Sequence, residues 1–214
     1  MANSTLVVTM SDHGFHLGEQ KMFAKRTLFE RGTQVPLMIR SPWHPKLQNL
    51  TTSLVVELVD VAPTILDFVD VLEEVEESGL MMLHGQSWLP FLDALQNTTG
   101  DDADDELKTT LNAIEQQELA QLWESSSSST VESNYTSYNT GVAFSQYARC
   151  GKDGTVDCDT ELRHTFFAMG YAVRTPRWRY TEWYRWNKHT LKPRVDKGIG
   201  YADLFEHSLG VRSC

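Results

Sequence analysis

Residues 5–40 read TLVVTMSDHGFHLGEQKMFAKRTLFERGTQVPLMIR, and this stretch decides the fold. Thr5–Met10 is a short apolar run rich in β-branched residues, and it stops at Ser11-Asp12-His13-Gly14, as a strand does on entering a loop. Val35–Arg40 reads as a second strand, expected to be buried, with Pro36 near its start. Open α/β sheets place their ligands just past the carboxyl ends of strands. The loop after Thr5–Met10 holds the densest cluster of ligating and charged groups in the chain: Ser11, Asp12, His13, His16 and Glu19, then Lys21, Lys25 and Arg26. Asp12 offers a hard oxygen and His13 an imidazole nitrogen, and a divalent cation takes both. Gly14 and Gly18 let the backbone turn sharply beside an ion or oxyanion. Lys25 brings a compact positive charge suited to a tetrahedral anion. An Asp-His pair on a loop reads equally as a hydrogen-bonded turn or as half of a metal site, and both readings stand at this point. His13, His16 and Glu19 do not have a strong zinc spacing. His16 therefore reads as a residue behind the ligands or facing substrate, and Glu19 as an ion-pair partner.

Outward from that stretch, Ser53–Leu72 reads as loop and then helix, its apolar residues three to four apart and Pro63 suited to a first turn. Glu73–Glu77 and Asp101–Glu106 are acidic runs, and Ser125–Ser129 is a serine tract; Leu107, Leu111, Ile114, Leu119 and Leu122 line one helical face between the last two. Gly141–Tyr147, Met169–Thr175 and Arg177–Tyr184 alternate apolar with polar residues, and Thr175-Pro176-Arg177 makes a turn, so an antiparallel hairpin is expected there. The expected organisation is an α/β domain over 1–96, an acidic Ser-rich insertion or linker over 97–140, and a C-terminal antiparallel α+β subdomain over 141–214.

The 214 residues are 41% hydrophobic and 22% charged, which excludes whole-chain disorder. No apolar run reaches the length of a membrane span. The net charge of −10 is uneven: residues 1–60 carry six basic and five acidic groups for +1, residues 61–140 one and sixteen for −15, and residues 141–214 twelve and eight for +4. One acidic middle segment sets the balance. That argues against nucleic acid as a partner while leaving room for a small anion at either flank.

SDHGFHLGEQKMFAKRTLFERGTQVPLMIRSP resembles the C-terminal half of a sulfatase catalytic domain in the alkaline phosphatase-like superfamily. VELVDVAPTILDF is similar to the helix that follows in those enzymes. AFSQYAR, GYAVRTPRWRYTEW and the stretch from Tyr201 to Phe205 resemble the closing subdomain of iduronate-2-sulfatases, and His13 stands where many other sulfatases place Asn. The resemblance covers residues 4–96 and 141–206. It implies a partial alkaline phosphatase-like α/β fold with a C-terminal α+β antiparallel subdomain. It implies that Asp12 and His13 are ligands of a Ca2+ held against the sulfate, that Lys25 contacts a sulfate oxygen and is the catalytic lysine, and that His16 and Lys25 meet the substrate. The substrate implied is a sulfated uronic acid of a glycosaminoglycan or a small sulfate ester, attacked at sulfur by a hydrated formylglycine.

That nucleophile is made from a C/S-x-P-x-R motif, and the 214 residues contain none; the family's N-terminal Asp-Asp ligand pair is absent from them too. The expectation is therefore a C-terminal portion, inactive alone, whose partner is a missing N-terminal portion of the same enzyme, with both edges of Thr5–Met10 left unpaired. The rival expectation is a non-catalytic relative that binds anionic glycans. Cys150 and Cys158 flank loop-like glycines and are able to close a disulfide, while Cys214 is left over. Sequons at Asn3, Asn49, Asn97 and Asn134 fit a glycosylated parent. The family implies a lysosomal or secreted location, whereas the N-terminus shows no signal peptide and by itself implies the cytoplasm. The tail from Arg174 to Arg194 is either a hairpin whose tryptophans pack on the main domain or an arginine-aromatic rim for an acidic glycan.

Overall fold

The computed structural model describes residues 3–49, 51–52, 54–96, 141–151, 158 and 162–207. Its backbone forms two compact units, Met1–Leu6 with Arg40–Gly141 and Val7–Ile39 with Val142–Cys214. The expected insertion over 97–140, its helical face, two of the four sequons and Cys214 lie outside the described residues.

In the second unit, β1 (Val7–Met10) pairs with β4 (Leu37–Arg40). The expectation that both edges of the first strand stand open is thereby corrected: β4 covers one. The chain turns back through the four-residue helix α1 (Glu30–Thr33), and the Ser11 N–H then donates to the Pro36 carbonyl at 3.3 Å. Proline has lost its donor but keeps its acceptor, so it ends this pairing without wasting a bond. Between them, β2 (His16–Leu17) and β3 (Phe23–Ala24) form a short antiparallel hairpin with His16 opposite Ala24.

The remainder of that unit is a four-stranded antiparallel sheet in sequential order: β5 (Ala143–Arg149), β6 (Ala168–Arg174), β7 (Trp178–Asn187) and β8 (Lys192–Glu206). The expected hairpin is present, with Thr175 and Trp178 bonding to each other across the turn. The α/β and antiparallel elements expected from sequence are thus both found, though the first part contributes only two-stranded pairings. β8 is a strand that no alternation announces, because its first half is polar and Gly198 and Gly200 interrupt it. Cys150, at the end of β5, is disulfide-bonded to Cys158.

Period-two alternation gives the sheet two faces. Arg179 and Thr181 of β7 lie beside Ala172 of β6 on the buried face, while Tyr180 and Glu182 stand on the other, where the Tyr180 hydroxyl donates to Glu182 at 2.9 Å. The buried face receives residues 26–30. Leu28 packs onto Gly170, where a Cβ would come 2.8 Å from both Leu28 and the Trp183 ring, so only glycine fits. Arg179 is 3% exposed, donates to the Leu28 carbonyl at 2.7 Å, and lies between the rings of Phe29 and Phe205 at 4.6 and 4.5 Å. Each such cation–ring contact is worth about 1–2 kcal/mol once water is excluded. Desolvation pulls the Arg179 pKa below its ordinary value, and Asp203 opposes the shift.

In the first unit, α2 (Val61–Phe68) follows a 3-10 turn over Leu58–Asp60, with Pro63 in its first turn as expected. α3 (Leu72–Ser78) ends at Gly79 in the left-handed conformation, and α4 (Leu89–Gln96) follows. Asp60 organises this unit: its carboxylate accepts from the Gln86 N–H at 2.9 Å and the Trp88 indole at 3.1 Å. Thr64 relays the contact, donating to the Asp60 carbonyl and accepting from the Trp88 N–H. No helix among the described residues is long and apolar enough to cross a membrane.

Candidate functional site

The loop leaving β1 is fixed before any ligand is considered. The Ser11 hydroxyl donates to the His13 carbonyl at 2.7 Å, and the Gly14 N–H donates to the Gly32 carbonyl at 3.0 Å. A Cβ on Gly14 would overlap the Arg31 carbonyl, so this loop crosses α1 at backbone contact distance. Gln20, Lys21 and Ala24 all have left-handed φ between 56° and 73°, an uncommon run for residues other than glycine. It ends immediately before Lys25.

Three of the four expected site residues come together here. The Lys25 ammonium lies 2.7 Å from His13 Nε2, and His13 Nδ1 lies 2.8 Å from the Gly14 carbonyl. An ammonium has only donors, so Nε2 must present its lone pair, and the proton sits on Nδ1 and goes to the carbonyl. This is the tautomer of a metal-ligating histidine, whose far N–H is held by a backbone carbonyl. Asp12 Oδ1 is 3.6 Å from the same Nε2. With Lys25 donating to Nε2, the Asp12–His13 approach is a contact to a neutral imidazole rather than an ion pair. Asp12 is exposed and His13 half-buried, so the group faces solvent.

His16 is placed elsewhere. It is completely buried, its Nε2 lies 2.7 Å from the Thr27 hydroxyl, and its Nδ1 has no partner. Thr27 in turn donates its N–H to the Lys25 carbonyl at 2.8 Å, so His16 meets the side chain of a residue whose backbone bonds to Lys25, rather than solvent. Glu19 takes the ion-pair role expected of it, at 3.8 Å from Arg31, and also accepts from the Leu17 N–H at 2.7 Å. That backbone bond is the main reason its pKa lies below the ordinary carboxylate value.

Two residues that composition and spacing do not reveal support the site from the sheet. Arg149 donates to the Arg26 carbonyl at 3.2 Å and Arg179 to the Leu28 carbonyl, so two guanidinium groups hold the backbone just after Lys25. Their only trace in the sequence is their place on one face of alternating strands.

Asp12 and His13 fit a divalent cation as a carboxylate oxygen and an available imidazole lone pair. A Ca2+ takes six to eight ligands. Among the described residues no three His, Cys, Asp or Glu side chains converge, so this loop would supply two ligands and no more from such side chains. The Nε2 lone pair is taken by the Lys25 ammonium, so a metal ion would bind there only in its place.

Residues 1–71 match the family described as Sulfatase. The sulfatase match contains Asp12, His13, His16 and Lys25, and it stops before the antiparallel sheet. Over 66 residues the chain is 39% identical to a sulfatase of Formosa agariphila, covering 31% of this chain and 13% of that protein. It is 44% identical over 69 residues to an N-acetylglucosamine-6-O-sulfatase of Bacteroides thetaiotaomicron, 32% of this chain and 12% of that protein. It is 36% identical over 87 residues to arylsulfatase K of Bos taurus, 41% of this chain and 16% of that protein. The chain thus spans less than a fifth of the length of these sulfatases. None of the three carries the iduronate-type name that the closing motifs suggest.

Proposed function

We propose that this chain carries the metal-and-lysine half of a sulfuric ester hydrolase acting on sulfated glycans. The observation that carries the proposal is the convergence of Asp12, His13 and Lys25 at the end of β1, with the His13 tautomer set for a cation. In this reading Asp12 and His13 give Ca2+ two of its ligands, and the bound ion supplies a Lewis acid for a sulfate oxygen. Lys25, released from His13, donates to another nonbridging oxygen and offsets the charge that gathers there as the ester bond breaks. His16 does not touch substrate; through Thr27 it fixes the turn that aims Lys25. The finer substrate assignment, a sulfated uronic acid of the iduronate-2-sulfatase type, rests on the closing motifs of β6 to β8, and the glycosylated, lysosomal or secreted setting on the sequons, of which Asn3 and Asn49 are exposed.

The formylglycine motif is absent from the 214 residues, so the chain itself is expected to hydrolyse no 4-methylumbelliferyl iduronide 2-sulfate above blank. The direct test is titration with CaCl2 in the presence of inorganic sulfate, followed through the histidine ring signals in NMR. A saturable shift at His13 with a midpoint of about 1 mM is expected. Asp12→Asn should abolish it, and Lys25→Ala should remove its dependence on sulfate. A His13 signal unmoved by Ca2+ overturns the proposal.

A further inference from the structure

The tail from Arg174 to Arg194 carries seven arginines and lysines, and the fold divides them into two groups. The first three are engaged inside the second unit. Arg174 pairs with Glu30 at 3.0 Å and Arg177 with Glu206 at 2.7 Å, while Arg179 is buried against the Leu28 carbonyl and paired with Asp203. The last four, Arg185, Lys188, Lys192 and Arg194, gather at the far end of the β7–β8 hairpin, and none has an ion-pair partner among the described residues. Arg185, Lys188 and Lys192 are exposed.

The end of the hairpin holds these charges in place. Asn187 stands opposite Lys192, its carbonyl accepts from the Leu191 N–H at 2.8 Å, and its side-chain oxygen accepts from the His189 and Thr190 N–H groups at 3.0 and 3.2 Å. One residue thus closes the turn, and Leu191 takes a left-handed φ of 54° as it does so. Period-two alternation puts Arg185 and Asn187 on one face of β7, so Lys192 shares that face and Arg194 follows two positions on. The Arg185 guanidinium lies over the Phe167 ring at 5.6 Å. Residues 183–202 contain five basic groups and one acid, Asp196, in a chain whose net charge is −10. Unpaired cations crowded on a fixed turn repel one another, and an anion bringing several negative charges at once relieves that repulsion.

The overall charge limits the shape of that anion. A duplex nucleic acid or an anionic bilayer is broad and meets the field of the whole chain, which repels it; a single flexible strand meets the hairpin end alone. Arginine forks take carboxylates and tetrahedral oxyanions bidentately, and lysines take them as point charges. We propose that the end of the β7–β8 hairpin is a docking surface for a sulfated polysaccharide, gripped by Arg185, Lys188, Lys192 and Arg194. The choice of a sulfated glycan rests on the sulfatase reading, whereas the surface itself does not.

The test is fluorescence anisotropy of a labelled heparin octasaccharide titrated with the 214-residue chain. Saturable binding that weakens with added salt is expected. Lys188→Ala/Lys192→Ala should weaken it about tenfold, while Lys188→Arg/Lys192→Arg should retain it. The urea midpoint should not move in either variant, since both lysines are exposed and free of ion pairs. Lys25→Ala should leave the affinity unchanged, so that failure of this surface and failure of the Asp12–His13–Lys25 site are read separately. The proposal is overturned if heparin does not bind saturably, if the double alanine variant binds as well as the parent, or if Lys25→Ala abolishes binding. It is equally overturned if single-stranded DNA of equal charge, phosphatidylserine vesicles or unsulfated hyaluronan bind as tightly as heparin.

Discussion

Arg174 Nε lies 3.2 Å from Oε1 and 3.0 Å from Oε2 of Glu30, a contact between residues 144 positions apart. It ties α1, which lies against the Asp12 loop, to the end of β6, and both side chains are about three-quarters buried. His207 approaches the same carboxylate at 3.7 Å. Glu30→Gln should therefore lower stability by about 1–2 kcal/mol, read as a shift in the urea midpoint with an unchanged slope.

His207 has a pKa below its ordinary 6.5, chiefly from burial and then from Arg174 and Arg179, with Glu30 opposing. The folded protein thus binds fewer protons at His207 than the unfolded chain does. The stability this confers is present above the unfolded value and is lost as pH falls through the folded one. Urea midpoints at about pH 7.5 and about pH 5.5 should differ more for the parent than for His207→Gln. Equal differences would remove His207 from the account.

Gly14→Ala places a methyl on the Arg31 carbonyl, and both partners are backbone, so no rotamer change relieves the overlap. A loss of at least about 3 kcal/mol is expected in chemical denaturation. Gly79, with open space around it, should tolerate the same change at the lower cost of its left-handed φ alone.

Thr27→Val preserves volume but strips His16 Nε2 of its partner and leaves the Phe29 N–H without the Thr27 oxygen at 3.3 Å. A destabilisation of about 1–3 kcal/mol is expected. Because the Thr27 hydroxyl joins His16 to the Phe29 N–H in the turn that follows Lys25, the Lys25 ammonium signal in NMR should broaden in this variant. A sharp, unshifted Lys25 signal would confine His16 and Thr27 to a packing role.

Reducing the Cys150–Cys158 bond opens a loop with a sequence separation of 8 and should cost about 2.5 kcal/mol, seen as a lower melting temperature in reductant. Cys150→Ala/Cys158→Ala should match the reduced protein and be insensitive to reductant.

The strand-loop unit around Ser11-Asp12-His13-Gly14 was legible because an apolar β-branched run meeting glycine and ligating residues is a local pattern. So was the hairpin around Pro176, where period-two alternation continues on both sides of a turn. β8 was not legible, since a polar strand interrupted by glycines carries no period and forms only because β7 offers it an edge. For His16 the sequence left two readings, behind the ligands or facing substrate, and the short β2–β3 hairpin turns it inward onto Thr27.

The sequence by itself determined which residue types stand at the end of β1, where the chain turns, and that residues 1–71 match sulfatases. Only the tertiary structure decided that Lys25 closes on His13, that Arg149 and Arg179 hold the backbone behind it, and which cations of the tail are spent on internal contacts. Local pattern fixes strands and loops because their causes lie within a few residues. A contact across 12 or 151 positions depends on which surfaces the folded chain buries together, and no spacing in the sequence records it.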